Sequence, residues 1–421
     1  MRRLFLGIDF GTGGCKVTAV SESGEVVADA SVEYPTEYPR QGWSEQNPSD
    51  WYAAMCKAVA EVGAKGADLS KVAAVSFDGS THNAVLLDGN MSPVRKTIMW
   101  TDQRSVAECE ELRKTCRDEI FSTAYQMPTP TWTLPQMMWL KNNEPEVLKK
   151  TRRVLFVKDY VRYLVTGVAV TDYIEAQGTL FFDMESMSWS ERLVGLSGLD
   201  FASLPEIVKP ADPAGKVTAQ AARDLGIAEG TPVVCGTSDS AVEDYGAGAI
   251  EPGDCILKLA TAGNVNVMTA EPHPFKTTLT YSHVIEGMWY TVSATNAAAL
   301  CQRWFRDAFC EPEKSLAAST GGRAFAIMDA IAEKSPVGAN GVMFHPYLQG
   351  ERSPYWDPDL RASFTGISIS STRGDFMRAL LEGVAFSLKD CYGAIEEMGL
   401  GVKRIFLIGG GAKSPLWSSI V

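Results

Sequence analysis

The 421-residue chain has no apolar run of membrane-spanning length, no basic patch, and only four histidines. Each shortage removes a class of protein. A transmembrane helix needs about twenty consecutive apolar residues, and none are found. Met1-Arg2-Arg3 ahead of Leu4-Phe5-Leu6 is not expected to act as a signal peptide, because Asp9 interrupts an apolar stretch that is already too short. A formal net charge of -12 argues against a nucleic-acid partner, which needs a positive patch or stripe. Nine cysteines, an odd number with no C-x-x-C, fit reduced thiols better than disulfides or a zinc site, and this points to the cytoplasm. Two familiar nucleotide motifs are also missing: there is no G-x-x-x-x-G-K-[ST], and no G-x-G-x-x-G opens a helix after a strand. The remaining composition, 45% hydrophobic and 21% charged, is that of a globular chain long enough for two or more domains.

What the chain does contain is a repeated strand-turn-strand unit. Residues 4–10 form an apolar run of strand length, Gly11-Thr12-Gly13-Gly14 supplies a turn, and residues 15–20 alternate with period two, so a β-hairpin is predicted. Residues 255–260, the turn Thr261-Ala262-Gly263 and residues 264–267 repeat that order, which predicts two related halves. A turn of glycine and threonine has few Cβ atoms in the way of an anion and leaves backbone N–H groups free to meet it. Two such turns facing each other across a cleft would hold one polyphosphate from both sides, with Asp9 in reach of a bound Mg2+. Alone, G-T-G-G also fits a plain hairpin turn; the repeat favours phosphate.

Between the hairpins, a third strand is predicted over 26–32 and a loop over 34–43. Asn47 can cap a helix with Pro48 at its first position, and Trp51, Met55, Ala58, Val59 and Val62 share one face of it. A buried strand over 72–77 runs into a polar loop, residues 78–83, and a further strand follows over 84–87. A polar loop at a strand end is a good binding site, although a lone His82 also fits an ordinary core or loop histidine. Trp100-Thr101-Asp102-Gln103-Arg104 opens a helix with Val106, Cys109, Leu112 and Cys116 on one face, where Asp102 could simply complement the helix dipole. Residues 120–215 yield helices near 135–142 and 158–165 and little chemistry, and the prolines at 205, 210 and 213 mark a loop-rich connection. A strand at 233–235 then leads to Asp239, which is placed either to accept a proton from a substrate hydroxyl or to cap a helix. Farther on, a helix is predicted over 295–309. Thr372 and Asp375 open a long helix that Gly399 ends, and a buried strand over 404–408 feeds Gly409-Gly410-Gly411-Ala412-Lys413-Ser414.

Together these segments resemble the FGGY family of carbohydrate kinases, most closely the xylulokinases, within the actin-like ATPase superfamily. The similarity spans essentially the whole chain. Its carriers are G-I-D-F-G-T-G-G-C-K at 7–16, W-S-E-Q-N-P at 43–48, the loop ending in His82, W-T-D-Q-R at 100–104, the Asp239 loop, P-Y-L-Q-G-E-R-S-P at 346–354 and L-I-G-G-G-A-K-S at 407–414. The resemblance implies an α/β, two-domain actin-like (ribonuclease H-like) fold with duplicated domains and a cleft between them. Residues 1–248 would hold the sugar site, the first phosphate loop and the catalytic aspartate; residues 249–421 would hold the second phosphate loop and the adenosine loop. It further implies that Asp9 handles Mg2+, and that Gly11, Thr12, Gly13 and Lys16 meet the phosphates of ATP from one side and Thr261 and Gly263 from the other. Gly410, Gly411, Ala412 and Ser414 would line the adenosine. Thr81, His82, Trp100, Asp102 and Ser240 would contact the sugar, with Asp239 as the base that takes its hydroxyl proton.

The chain also departs from the xylulokinase pattern. Ser80-Thr81-His82-Asn83 replaces Q-M-H-G, Asp239-Ser240 replaces D-N, and Ala260-Thr261-Ala262-Gly263 replaces G-T-S-G. Because most of the other loop residues match the xylulokinases, D-xylulose is still the expected sugar, with another ketopentose or a polyol as the alternative. The family continues past the G-G-G-A loop with further helices, so the chain reads as C-terminally short. An apolar surface near residues 404–408 and a nucleotide pocket open on one side are expected, and a non-catalytic sugar-binding or scaffold relative is the rival reading. The expected ligands are a small sugar, ATP and Mg2+, with no nucleic acid or membrane partner and a homodimer as the candidate assembly.

Overall fold

The alternation of residues 4–21 sets the first sheet. In the computed structural model, which describes residues 3–357 and 359–421, β1 (Leu4–Gly11) and β2 (Gly14–Ser21) pair antiparallel. Leu6, Ile8 and Phe10 of one strand and Cys15, Val17 and Ala19 of the other are buried in one core. β3 (Val26–Glu33) adds antiparallel to β2. The helix α1 (Pro48–Ala64) starts where predicted, with the Asn47 side chain accepting from Ser49 N and Pro48 needing no donor. Its Trp51, Met55, Ala58, Val59 and Val62 face is fully buried, and each of the larger side chains contributes about 1.5–3 kcal/mol by leaving water.

β4 (Val72–Gly79) runs parallel to β1. Beyond it lie β5 (Pro213–Lys216) and β6 (Pro232–Val234), in the order β5-β6-β4-β1-β2-β3, and the two-residue β7 (Thr237–Ser238) also pairs with β4. The proline-marked connection thus contains short strands and is not wholly loop. α2 (Val106–Thr115) forms with Cys109 and Leu112 buried, but Val106 is exposed, so the apolar stripe begins one turn later than predicted. α3 (Val157–Thr166), α4 (Tyr173–Gln177) and α5 (Asp239–Gly246) complete the elements needed below.

The chain divides into two units, Met1–Glu243 and Asp244–Val421. In the second, β8 (Asp254–Leu259), β9 (Gly263–Thr269), β10 (Leu279–Ser282), β11 (Trp289–Thr295) and β12 (Arg404–Ile408) form a sheet in the order β10-β11-β9-β8-β12. β11-β9-β8-β12 repeats β3-β2-β1-β4 in order and in strand direction, so the duplication seen in the two hairpins extends to a four-stranded unit. β12 is the outer strand among the described residues, where β6 flanks β4 in the first unit, and Ile405 is 58% exposed. The helix predicted over 295–309 starts later, as α6 (Ala299–Phe309), because Thr295 still pairs with Gly263 in the sheet. α7 (Ala324–Ala332) and α8 (Arg373–Glu397), the latter opened by a Thr372–Asp375 capping box, cover the core. All nine cysteines are free, and no helix among the described residues is long and apolar enough to cross a membrane.

Candidate active site

In the first unit the glycine turn is tied down by its carbonyls. The Tyr34 hydroxyl donates to Gly11 O, Gln46 Nε2 donates to Thr12 O at 2.7 Å, and Gln46 is in turn held by Trp51 Nε1 at 2.9 Å. These bonds consume the turn's repulsive oxygens inside the protein, away from an incoming anion. A Cβ added at Gly13 would meet nothing within 4 Å, so the tip faces open space. Lys16 is exposed on β2, opposite Asp9.

Asp9 also lies in register with Asp78 on β4, and the two carboxyls are hydrogen bonded. Burial first, then the charges of Asp9 and Asp239, push the Asp78 carboxyl well above the usual carboxylate range, with Lys158 opposing. Asp9, Asp78 and Asp239 therefore share one small region. The Tyr34 hydroxyl is held protonated beside it, by burial first and then by Cys15, Asp9 and Asp239.

Asp239 reaches this region through Gly236, whose φ is +74°; a Cβ there would lie 1.7 Å from Phe77 O. Only glycine permits that crossing of β4. Asp239 opens α5, but the capping bond is made by its neighbour: Ser238 Oγ accepts from Ala241 N at 3.3 Å. Asp239 Oδ1 accepts from Ser240 N at 2.7 Å and from Ser240 Oγ at 3.3 Å.

The sugar-loop candidates form a connected group. Trp100 Nε1 donates to Thr12 Oγ1 at 3.0 Å and Trp100 N to Asn83 Oδ1 at 2.5 Å, which joins the glycine turn to the loop of His82. Asn83 Nδ2 donates to Ser80 O and Oγ, and Thr81 is half-buried between them. His82 has a left-handed backbone, φ +53°, and packs on Trp132 with ring centroids 4.9 Å apart. Its imidazole is buried and neutral, with the pKa pushed down to about 3 by burial, and Nδ1 has no hydrogen-bond partner among the described residues. Asp102 is not a helix cap. Its Oδ1 accepts from Arg104 N and Nε, and its Oδ2 from Ser44 N and Arg104 Nη2, while Arg104 also meets Glu45 at 2.8 Å.

In the second unit the matching turn is tied down in the same way. Ala260 O accepts from Ala299 N, and Thr261 O from Ala298 N and Leu300 N, at the start of α6. Beside it is a cavity of about 610 Å³, a size that suits a nucleoside, lined by Thr261, Arg323, Phe325, Gly410, Gly411 and Ser414 among others. The glycine run is set by packing: a Cβ would lie 2.6 Å from Leu259 O at Gly409, where φ is +92°, and 2.8 Å from Leu259 Cβ at Gly411. Ala412 belongs to the same turn, its N–H donating to Gly409 O. Gly263 faces inward, where a Cβ would meet Leu388 and Thr295 at 2.9 Å.

Two residues escaped sequence reasoning. Asp78 counted only as part of a polar loop; the parallel register of β4 with β1 is what sets it against Asp9. Glu175, which accepts from His82 N, lies 93 residues away in sequence.

Two family models match the chain: the N-terminal domain of the FGGY family of carbohydrate kinases over residues 4–246 and its C-terminal domain over residues 258–421. The xylulose kinase of Bacillus subtilis is 33% identical over 415 residues, which cover 98% of this chain and 81% of that protein. The gluconokinase of Bacillus subtilis is 28% identical over 424 residues, covering 100% of this chain and 82% of the relative. The crystal structure of xylulose kinase from Rhodospirillum rubrum matches with a TM-score of 0.89 at 29% identity, over 99% of this chain and 84% of that one.

Proposed function

Because the chain belongs to the FGGY family of carbohydrate kinases and is thereby an ATP-dependent sugar kinase, we propose that it phosphorylates a ketopentose, with D-xylulose converted to D-xylulose 5-phosphate as the first choice. The observation that carries the reading is the placement of Asp239, relieved of capping by Ser238 and set near the Asp9–Asp78 pair. In this reading Asp239 takes the proton of the sugar hydroxyl as that oxygen attacks the γ-phosphorus in line, and ADP leaves. The Gly11-Thr12-Gly13 turn, Lys16 and the Thr261 turn receive the phosphates, and the cavity beside Gly410, Gly411, Ala412 and Ser414 receives adenosine. Gly263 contributes as the packing residue that ends the second turn. In this reading residues 1–248 serve the sugar, the first phosphate turn and the base, and residues 249–421 the second phosphate turn and the adenosine.

Mg2+ would neutralise charge on the transferring phosphates. Among the described residues no group of three or more His, Cys, Asp or Glu forms a ready-made metal site. Two facing carboxyls nevertheless fit a hard divalent ion that keeps its water and phosphate ligands, so Asp9, with Asp78 beside it, is the residue to hold it.

His82, with its unpaired buried nitrogen, and Thr81, Trp100 and Ser240 are assigned to the sugar hydroxyls. Asp102 is largely occupied by Arg104 and Ser44, and acts mainly by pinning the Trp100 loop. Gluconate is the second reading, favoured by the match to a gluconokinase at nearly the same coverage. A coupled ADP-release assay over D-xylulose, other ketopentoses, pentitols, tetritols, gluconate and glycerol decides between them. A site that bonds each hydroxyl rejects analogues lacking one by about 10⁴ in favourable cases, so D-xylulose should stand alone in kcat/KM. A higher kcat/KM for gluconate or glycerol would overturn the pentulose assignment.

A further inference from the structure

We propose that Glu175 is a positioning residue for sugar recognition: by accepting the His82 amide it fixes the left-handed backbone that sets where the His82 imidazole stands. The inference rests on the reading of His82 as a sugar contact. Glu175 Oε1 accepts from His82 N at 2.5 Å, and Thr133 Oγ1 donates to His82 O at 2.7 Å, so the peptide groups on both sides of the residue are held. A non-glycine residue at φ +53° persists only when its surroundings impose it. Gly178, just after α4, completes the seat: a Cβ there would lie 2.7 Å from His82 Cδ2.

The helix that carries Glu175 is itself fixed. Asp172 caps it, accepting from Ile174 N and Glu175 N, and also accepts from Thr237 Oγ1 at 2.6 Å, two residues before Asp239. Lys158 Nζ lies 2.7 Å from Asp172 Oδ2 and 2.6 Å from Asp159 Oδ1, all fully buried. One five-residue helix thus braces the sugar loop through Glu175 and the strand leading to the base through Asp172.

The bond calls for an acceptor oxygen and not for a charge. Glu175 is buried, its Oε2 has no hydrogen-bond partner among the described residues, and burial raises its pKa well above the usual carboxylate range, with Lys158 opposing and Asp159 and Asp172 adding to the rise. An amide supplies the same oxygen to His82 N.

The test compares Glu175→Gln, Glu175→Leu and Gly178→Ala in the full chain, reading the KM for D-xylulose, the KM for ATP, kcat and the melting temperature. Glu175→Gln should stay within about threefold of wild type in every constant, whereas Glu175→Leu and Gly178→Ala should each raise the D-xylulose KM about tenfold or more with the ATP KM unchanged. Equal losses in the Gln and Leu variants, or a rise in the ATP KM matching that in the sugar KM, would overturn the inference. If Glu175→Leu does not fold, Gly178→Ala decides: a D-xylulose KM within twofold of wild type overturns the inference. His82→Ala separates this failure from that of the underlying reading. An unchanged sugar KM in that variant refutes the sugar-contact assignment itself. A raised one, with Glu175→Leu and Gly178→Ala both silent, refutes only the role of Glu175.

Discussion

Asp239→Asn replaces one carboxylate oxygen with an amide nitrogen and leaves the rest of the local structure with its bonds. The side-chain oxygen can still accept from Ser240 N, and the start of α5 stays capped by Ser238 Oγ. Loss of a cap costs about 0.5–2 kcal/mol, and no such loss is expected here. Removing a negative charge beside Asp78 relaxes a repelling group, so the melting temperature should stay level or rise slightly. The chemistry should respond very differently. An amide cannot take the hydroxyl proton, and general bases contribute about 10²–10⁴ in rate, or roughly 2.7–5.5 kcal/mol of barrier. In a coupled ADP-release assay kcat should fall by that factor while the sugar KM changes little. Asp239→Ala should match it in kcat and keep the melting temperature, because Ser238 and not Asp239 is the cap. A kcat within a few-fold of wild type at unchanged melting temperature would refute the base assignment and shift it to Asp9, Asp78 or Asp102. A drop in melting temperature of cap size in Asp239→Ala would refute the capping argument.

Gly410→Ala should preserve the melting temperature, since its Cβ would meet nothing within 4 Å, while Gly411→Ala pushes against Leu259 and should lower it and raise the ATP KM; equal thermal behaviour of the two in calorimetry would contradict the packing argument. Lys158→Met leaves Asp172 buried without its ion-pair partner and Asp159 with Arg162 alone, and should cost about 3–5 kcal/mol, read as a large shift in denaturant midpoint, and a negligible shift would refute it. His82 has a folded pKa of about 3, below its ordinary value of about 6.5, so the unfolded chain binds more protons between those values. Its stabilising contribution is complete above that window and is lost as pH falls through it. Proton NMR should show no His82 titration from pH 8 down to about 4, and a midpoint near 6.5 would contradict the burial.

Sequence made the local features legible. The two hairpins, the Asn47–Pro48 helix start and the Thr372–Asp375 capping box are each encoded within a few residues, and the structure forms them as read. The boundary at Thr295 was misplaced because strand pairing to Gly263, a non-local contact, overrides helical spacing there. Residues 120–215 yielded little chemistry for the same reason. Lys158, Asp159 and Arg162 have the spacing of a solvated helix face, yet Arg162 Nη1 reaches Cys235 O, 73 residues away, and all three are buried. Asp78 needed the parallel register of β4 with β1, and Glu175 needed the fold that brings α4 under the His82 loop. By contrast Asp239, legible as either base or cap, is relieved of the cap by the hydroxyl next to it.

In the proposed function the chain moves the γ-phosphoryl group of ATP onto a pentulose hydroxyl. Phosphorus NMR of the protein with ATP, Mg2+ and D-xylulose tests it most directly. A phosphomonoester signal matching authentic D-xylulose 5-phosphate should grow in step with ADP. ADP accompanied only by inorganic phosphate, or no consumption of ATP at all, would contradict it.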